Sequence, residues 1–126
     1  QGFVLLAEGN KLWARKAAVL AVVVSRKRFE HNEKPARTHS FDAGAAWENL
    51  ALEGTRRGLV IHGMQGFDYD KARDVLGIPE AFEVEAMIAI GKRGKKEDLP
   101  KDLREIEFPS ERKPISAVVF EGRFPT

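Results

Sequence analysis

"LVIHGMQGFD", residues 59–68, is the stretch on which the reading of the fold turns. An apolar run, Leu59-Val60-Ile61, passes through His62 into Gly63-Met64-Gln65-Gly66 and then into Phe67-Asp68. The run reads as a buried strand. Asp68 is a helix cap, since a carboxylate can accept from the free N–H groups of a first turn. Two glycines between a strand and a helix admit two explanations. They set dihedrals that side chains would forbid, or they let exposed peptide groups approach a ligand. Ligands of α/β sheets commonly sit at the carboxyl ends of strands, where such a turn lies.

Working outward, Phe41 to Arg57 has a helical pattern, with Thr38 or Ser40 as cap, Asp42 in the first turn and Arg56-Arg57-Gly58 at the end. Gly44, Ala45, Ala46, Leu50 and Ala51 give it a small and apolar surface, which places it in the core or at a subunit interface. On the other side, Asp68 opens a helix over 69–76 with Ala72, Val75 and Leu76 facing inward; Gly77 ends it and Pro79 blocks its continuation. "FEVEAMIAIG", residues 82–91, predicts a strand, and so does "AAVLAVVV", 17–24, as a run buried on both faces. Residues 3–7 and Leu12-Trp13-Ala14 read as helical pieces interrupted by Gly9-Asn10. Residues 25–40 and 92–101 read as polar or charged loops, and "ISAVVF", 115–120, as a fourth strand. The alternation of strands and helices indicates layers around one central sheet.

The 126 residues are 43% hydrophobic and 32% charged, enough for one globular domain over 1–126. A net charge of 21 − 19 = +2, with the two signs interleaved, does not call for nucleic acid. With no cysteine, disulfides, thiolate catalysis and zinc ribbons are excluded. No apolar run approaches the ~20 residues of a membrane-spanning helix, and Gln1-Gly2-Phe3 lacks the basic start of a signal peptide, so a cytoplasmic protein is expected.

Residue chemistry narrows the options without naming a reaction. His31, His39 and His62 lack metal-ligand spacing, and no serine stands in a G-x-S-x-G elbow. Gly91 and Gly94 with their lysines lack the phosphate-loop pattern and read as a solvated loop. "SERKPI", 110–115, is a surface turn or, through Arg112 and Lys113, an anion site.

Four segments taken in order, "GNKLWARKAAVLAVVV", "FDAGAAWENLALEGTRRGLVIHGMQGFD", "DKARDVLGIPEAFEVEAMIAIGKRG" and "LPKDLREIEFPSERKPISAVVFEGRF", resemble the nitroreductase family of flavin-dependent oxidoreductases. The resemblance implies an α+β fold with a central mixed or antiparallel sheet flanked by helices. It implies FMN as cofactor, NAD(P)H as co-substrate, and nitroaromatic, quinone or enone acceptors reduced by a ping-pong mechanism. It also implies a homodimer joined through helix 41–57, with the C-terminal arm adding a strand to the partner's sheet. Gly63, Met64, Gln65 and Gly66 match the family's flavin-contacting turn, with the N–H groups of Gln65 and Gly66 toward flavin N5 and O4. On this reading glycine keeps bulk away from the ring. Arg112 matches a phosphate ligand and Lys113 a weaker one. No side chain is assigned as catalytic.

Three departures stand out. Ser110 replaces a basic residue, and Phe41 replaces a histidine of close relatives. The family's N-terminal Arg-x-Ser-x-Arg and Pro-Ser-x-x-Asn segments do not occur in residues 1–126. The chain therefore resembles the C-terminal two-thirds of the fold, and an N-terminal portion cleaved, disordered, omitted or carried by another chain is expected. The competing reading is a non-catalytic dimerising subunit that has lost half of the flavin site. Loops 25–40 and 92–104 are where acceptor preference would be set.

Overall fold

The structure is a computed structural model and describes residues 2–125. It divides into two compact units, Gln1–Lys95 and Lys96–Thr126.

The first unit is built on three antiparallel strands, β1 (Val19–Arg26), β2 (Val60–Met64) and β3 (Phe82–Gly91), in the order β1-β3-β2. β3 is central, and the sequence explains why. Its Val84, Met87, Ile88 and Ala89 are all buried, so it alone is covered on both faces. β1 starts two residues later than its apolar run suggests and is not buried on both faces. As an edge strand it pairs only with β3, and Val19 and Val24 stay exposed.

On one face lie a 3-10 turn (Gly2–Leu5), α1 (Glu8–Ala14) and α3 (Tyr69–Leu76). Leu5, Leu6, Ala14, Met64, Phe67, Ala72, Val84, Met87 and Ala89 form the core there, with Trp13, Leu20 and Val22 packed against it. Gly9 and Asn10 do not interrupt the N-terminal helix; they lie inside α1. α3 has the bounds that its signals predict. Asp68 accepts from Lys71 N at 2.9 Å, and Gly77 takes the left-handed conformation at φ 63°. Only Ala72 of its three apolar residues turns inward, because eight residues give a narrow buried stripe; Val75 and Leu76 are exposed.

The other face carries α2 (His39–Arg56), two residues longer at its start than its apolar pattern indicates. Thr38 is its N-cap residue, but its hydroxyl donates to Asp42 Oδ2 at 3.2 Å instead of accepting from a backbone N–H. Ala43, Trp47, Ala51 and Gly54 form the stripe against the sheet, and most of the remaining surface of α2 is exposed. The segment before it is ordered, not aperiodic loop: Arg28 bridges Pro35, and Phe29 N donates to Lys34 O at 2.9 Å.

The second unit contains a 3-10 turn (Lys96–Asp98), α4 (Lys101–Ile106) and a further 3-10 turn (Ile115–Ala117). The charged loop is thus partly helical, and the expected fourth strand at 115–120 is absent among the described residues. Its β-branched residues do favour extended chain, but a strand needs a hydrogen-bonding partner, and none pairs with it. Ile115, Val118 and Val119 remain exposed.

Candidate functional site

β2 continues through Gly63 and Met64, which pair with Ile88 and Met87. The turn is therefore shorter than the four residues 63–66, and only Gln65 and Gly66 lie beyond the ladder. Phe67 N closes it by donating to Gln65 O at 2.9 Å. The Gly66 carbonyl accepts from Ala7 N and from Asn10 Nδ2, both at 2.9 Å, and Asp68 N donates to Leu5 O at 2.8 Å. These bonds clamp the turn onto the N-terminal segment from one side. The N–H groups of Gln65 and Gly66 find no acceptor among the described residues.

Neither glycine is explained by its dihedrals, since the positive-φ glycines are Gly58, Gly77 and Gly122. Their reason is internal packing. A Cβ on Gly63 would lie 3.2 Å from Trp47 Cζ2, and one on Gly66 only 2.6 Å from Asn10 Nδ2. The space expected to be kept for a ligand is, at these two Cβ positions, taken by the chain itself.

Beside the turn, between the N-terminal half of α2 and the sheet, is a cavity of about 320 Å³. Its walls include Val23, Ser40, Trp47, Gly63, Gln65 and Glu85. That volume is at the lower end of small-molecule sites. Trp47 Nε1 is buried without a hydrogen-bond partner, an unsatisfied donor of a kind folded proteins seldom leave. His62, whose ring packs edge-on against Trp13 with centroids 4.7 Å apart, is not among the lining residues.

Glu85 is the charged group of the wall. Ser25 Oγ donates to its Oε1, Ser40 Oγ donates to the same oxygen at 2.8 Å, and His39 Nδ1 lies 3.4 Å away. Burial pushes the carboxyl up, but the hydrogen bonds from Ser25 and Ser40 and the neighbouring His39 ring outweigh it, leaving Glu85 below its ordinary value. The cluster is not a hydrolytic triad. Ser25 and Glu85 both approach the same imidazole nitrogen, Nδ1, whereas a triad needs one on each side of the ring.

Arg112 and Lys113 lie in the second unit, exposed and outside regular structure. Arg112 Nη1 donates to the Ser110 carbonyl at 3.1 Å and also to the Ser110 hydroxyl. Ser110, where the resemblance expects a cation, instead orients the guanidinium.

A sequence model described as the nitroreductase family matches residues 3–92. The chain belongs to the nitroreductase family. The match includes the turn and every cavity-lining residue; Arg112 and Lys113 fall outside it. An uncharacterised 15.4 kDa protein of Mycolicibacterium smegmatis is 33% identical over 121 residues, covering 95% of this chain and 80% of that protein. The crystal structure of an oxidoreductase containing FMN superposes with a TM-score of 0.90 at 50% identity. That alignment covers 98% of this chain and 64% of the oxidoreductase, so the chain spans less than two thirds of that relative's length. A nitroreductase family protein from Streptococcus pneumoniae TIGR4 shares the fold at a TM-score of 0.70 and 19% identity, over 96% of this chain and 72% of that one.

For this nitroreductase-family chain, sequence reasoning located the turn but missed Ser25, His39, Ser40, Trp47 and Glu85. One signal was available. Glu83 and Glu85 in an otherwise apolar central strand are costly unless each has a partner or an opening to face.

Proposed function

We propose that this chain forms the ring-side part of the FMN site of a homodimeric, cytoplasmic NAD(P)H oxidoreductase. The observation that carries the reading is the pair of unpartnered N–H groups at Gln65 and Gly66, held on a turn clamped through the Gly66 carbonyl. A donor pair fixed in advance needs no reorganisation when negative charge develops on a bound ring, so its stabilisation is retained in the reaction. The 50% identity to an oxidoreductase containing FMN supports the same cofactor here.

The residues present fit that group. Flat rings with carbonyl and imine acceptors suit open N–H donors, here those of Gln65 and Gly66. Taken by itself, the second unit offers Arg112, with Lys113 beside it in sequence, as a side chain of the kind that suits a phosphate through paired N–H bonds. When bound, FMN supplies hydride transfer from NAD(P)H to a flat acceptor such as a nitroaromatic, quinone or enone. The chain's own contribution is binding, orientation and electrostatics.

Dimerisation is favoured by what the isolated chain leaves exposed. Phe41, Ala45 and Leu52 share the face of α2 turned away from the sheet, at spacings of four and seven residues. Phe41 and Leu52 are 76% and 60% exposed, and Ile115, Val119 and Phe124 of the C-terminal arm are exposed as well. Apolar surface of this kind calls for a partner, and a second copy covers helix and arm together.

Steady-state kinetics of the FMN-loaded protein test the reaction. Double-reciprocal plots for NADPH at several quinone concentrations are expected to be parallel, since one pocket serves the two substrates in turn. Intersecting lines would mean that both are bound at once and would sink the mechanism.

A further inference from the structure

The position of Glu85 depends on an irregularity in β3. Val23 pairs with Ala86 and Val24 with Val84, so Glu85 is the extra residue of a bulge. In a regular strand neighbouring side chains point to opposite faces, whereas a bulge re-aims one of them. Here Val84, Met87 and Ala89 all reach the core on one face, while the consecutive Glu85 and Ala86 both line the cavity on the other.

The carboxylate so delivered is only half used. Ser25, Ser40 and His39 all converge on Oε1, and Oε2 has no partner among the described residues. A carboxylate offers about four lone-pair positions, so capacity remains on the second oxygen. Val23, Ala43 and Ala86 supply apolar wall beside it, where water screens a charge less than at open surface. We infer that Glu85 makes this cavity a subsite for a cationic group, an ammonium or amidinium, carried by a flat organic ligand, and that it repels carboxylates and sulfonates. For the proposed reaction, and resting on that reading, the subsite selects acceptors with a cationic substituent over anionic ones.

The experiment uses three matched probes, 1-naphthylmethylammonium, 1-naphthylmethanol and 1-naphthoate, titrated into the protein without and with FMN. Calorimetry gives Kd, and the two indole N–H resonances in a ¹⁵N spectrum locate the site. Trp47 borders the cavity, while the Trp13 indole is bonded to Asn10 Oδ1 at 3.3 Å. The ammonium is expected to bind at least about tenfold more tightly than the naphthoate and to shift the Trp47 resonance. In Glu85→Gln that ratio should fall to within about twofold, the tenfold step being the charge contribution removed. Equal affinities in the native protein, no binding of any probe, a shift confined to Trp13, or a preference that survives Glu85→Gln would each overturn the inference. Should Glu85→Gln not fold, the native charge series decides alone. A charge preference in a protein that refuses FMN would sink the flavin reading and leave the subsite standing. FMN uptake with equal probe affinities would do the reverse.

Discussion

Gly54 and Glu85 are the two residues where a single change is most informative. A Cβ on Gly54 would lie 2.5 Å from both Cγ1 and Cδ1 of Ile61, so the glycine lets α2 rest on β2. Alanine would gain about 0.5–1 kcal/mol of helix preference, but overpacking costs about 1–3 kcal/mol. Gly54→Ala should therefore lower stability by a net of about 1 kcal/mol in urea denaturation; a more stable variant would mean that the contact yields freely. At Glu85 the folded-state pKa is lowered, so the unfolded chain binds more protons in the window between the two values. Its stabilisation is fully present above the ordinary glutamate value and is lost as pH falls through the lower folded value. The stability difference between the native protein and Glu85→Gln should accordingly shrink as pH falls from the ordinary glutamate value through the lower folded one, followed by urea midpoints; a difference independent of pH would contradict the shift. Gly54's role was not legible in the sequence, and Glu85's only as far as a charge in an apolar strand calls for a partner. Gly54 looks like any small helical residue, and the bulge that turns Glu85 arises from pairing with β1.

At the scale of elements, legibility followed how local the determinants are. α3 and β3 have the bounds expected of them, because Asp68, Gly77 and Pro79 act within a few residues and "FEVEAMIAIG" is a long apolar stretch. Asp68→Ala removes the bond to Lys71 N and should cost about 1 kcal/mol, seen as a lower denaturation midpoint. No change would mean that tertiary packing alone holds the helix start. The segment 115–120 shows the opposite case. Its composition favours a strand, but strand formation depends on an edge supplied by other residues, which no local pattern specifies. The stretch 63–66, strand end and turn together, lies between these cases. Its place was readable from the end of the apolar run, but not that Gly63 makes room for Trp47 and Gly66 for Asn10.

For the whole molecule, the proposed dimer rests on the exposed apolar face of α2 and, separately, on the exposed apolar residues of the C-terminal arm. Leu52→Glu, on a residue 60% exposed, should leave the fold of the single chain intact and shift the protein toward monomer in light scattering. A dimer of unchanged strength would remove α2 from the interface. That surface does not separate the enzyme from an interaction subunit, because both readings dimerise and only the enzyme holds flavin. The most direct measurement is an FMN titration followed by the visible spectrum and by the ¹⁵N resonances of the turn. Saturation at about one FMN per chain, with the Gln65 and Gly66 amide resonances shifting, is the predicted result. A protein that stays colourless with FMN, or binds it while those two amides stay fixed, would contradict the account.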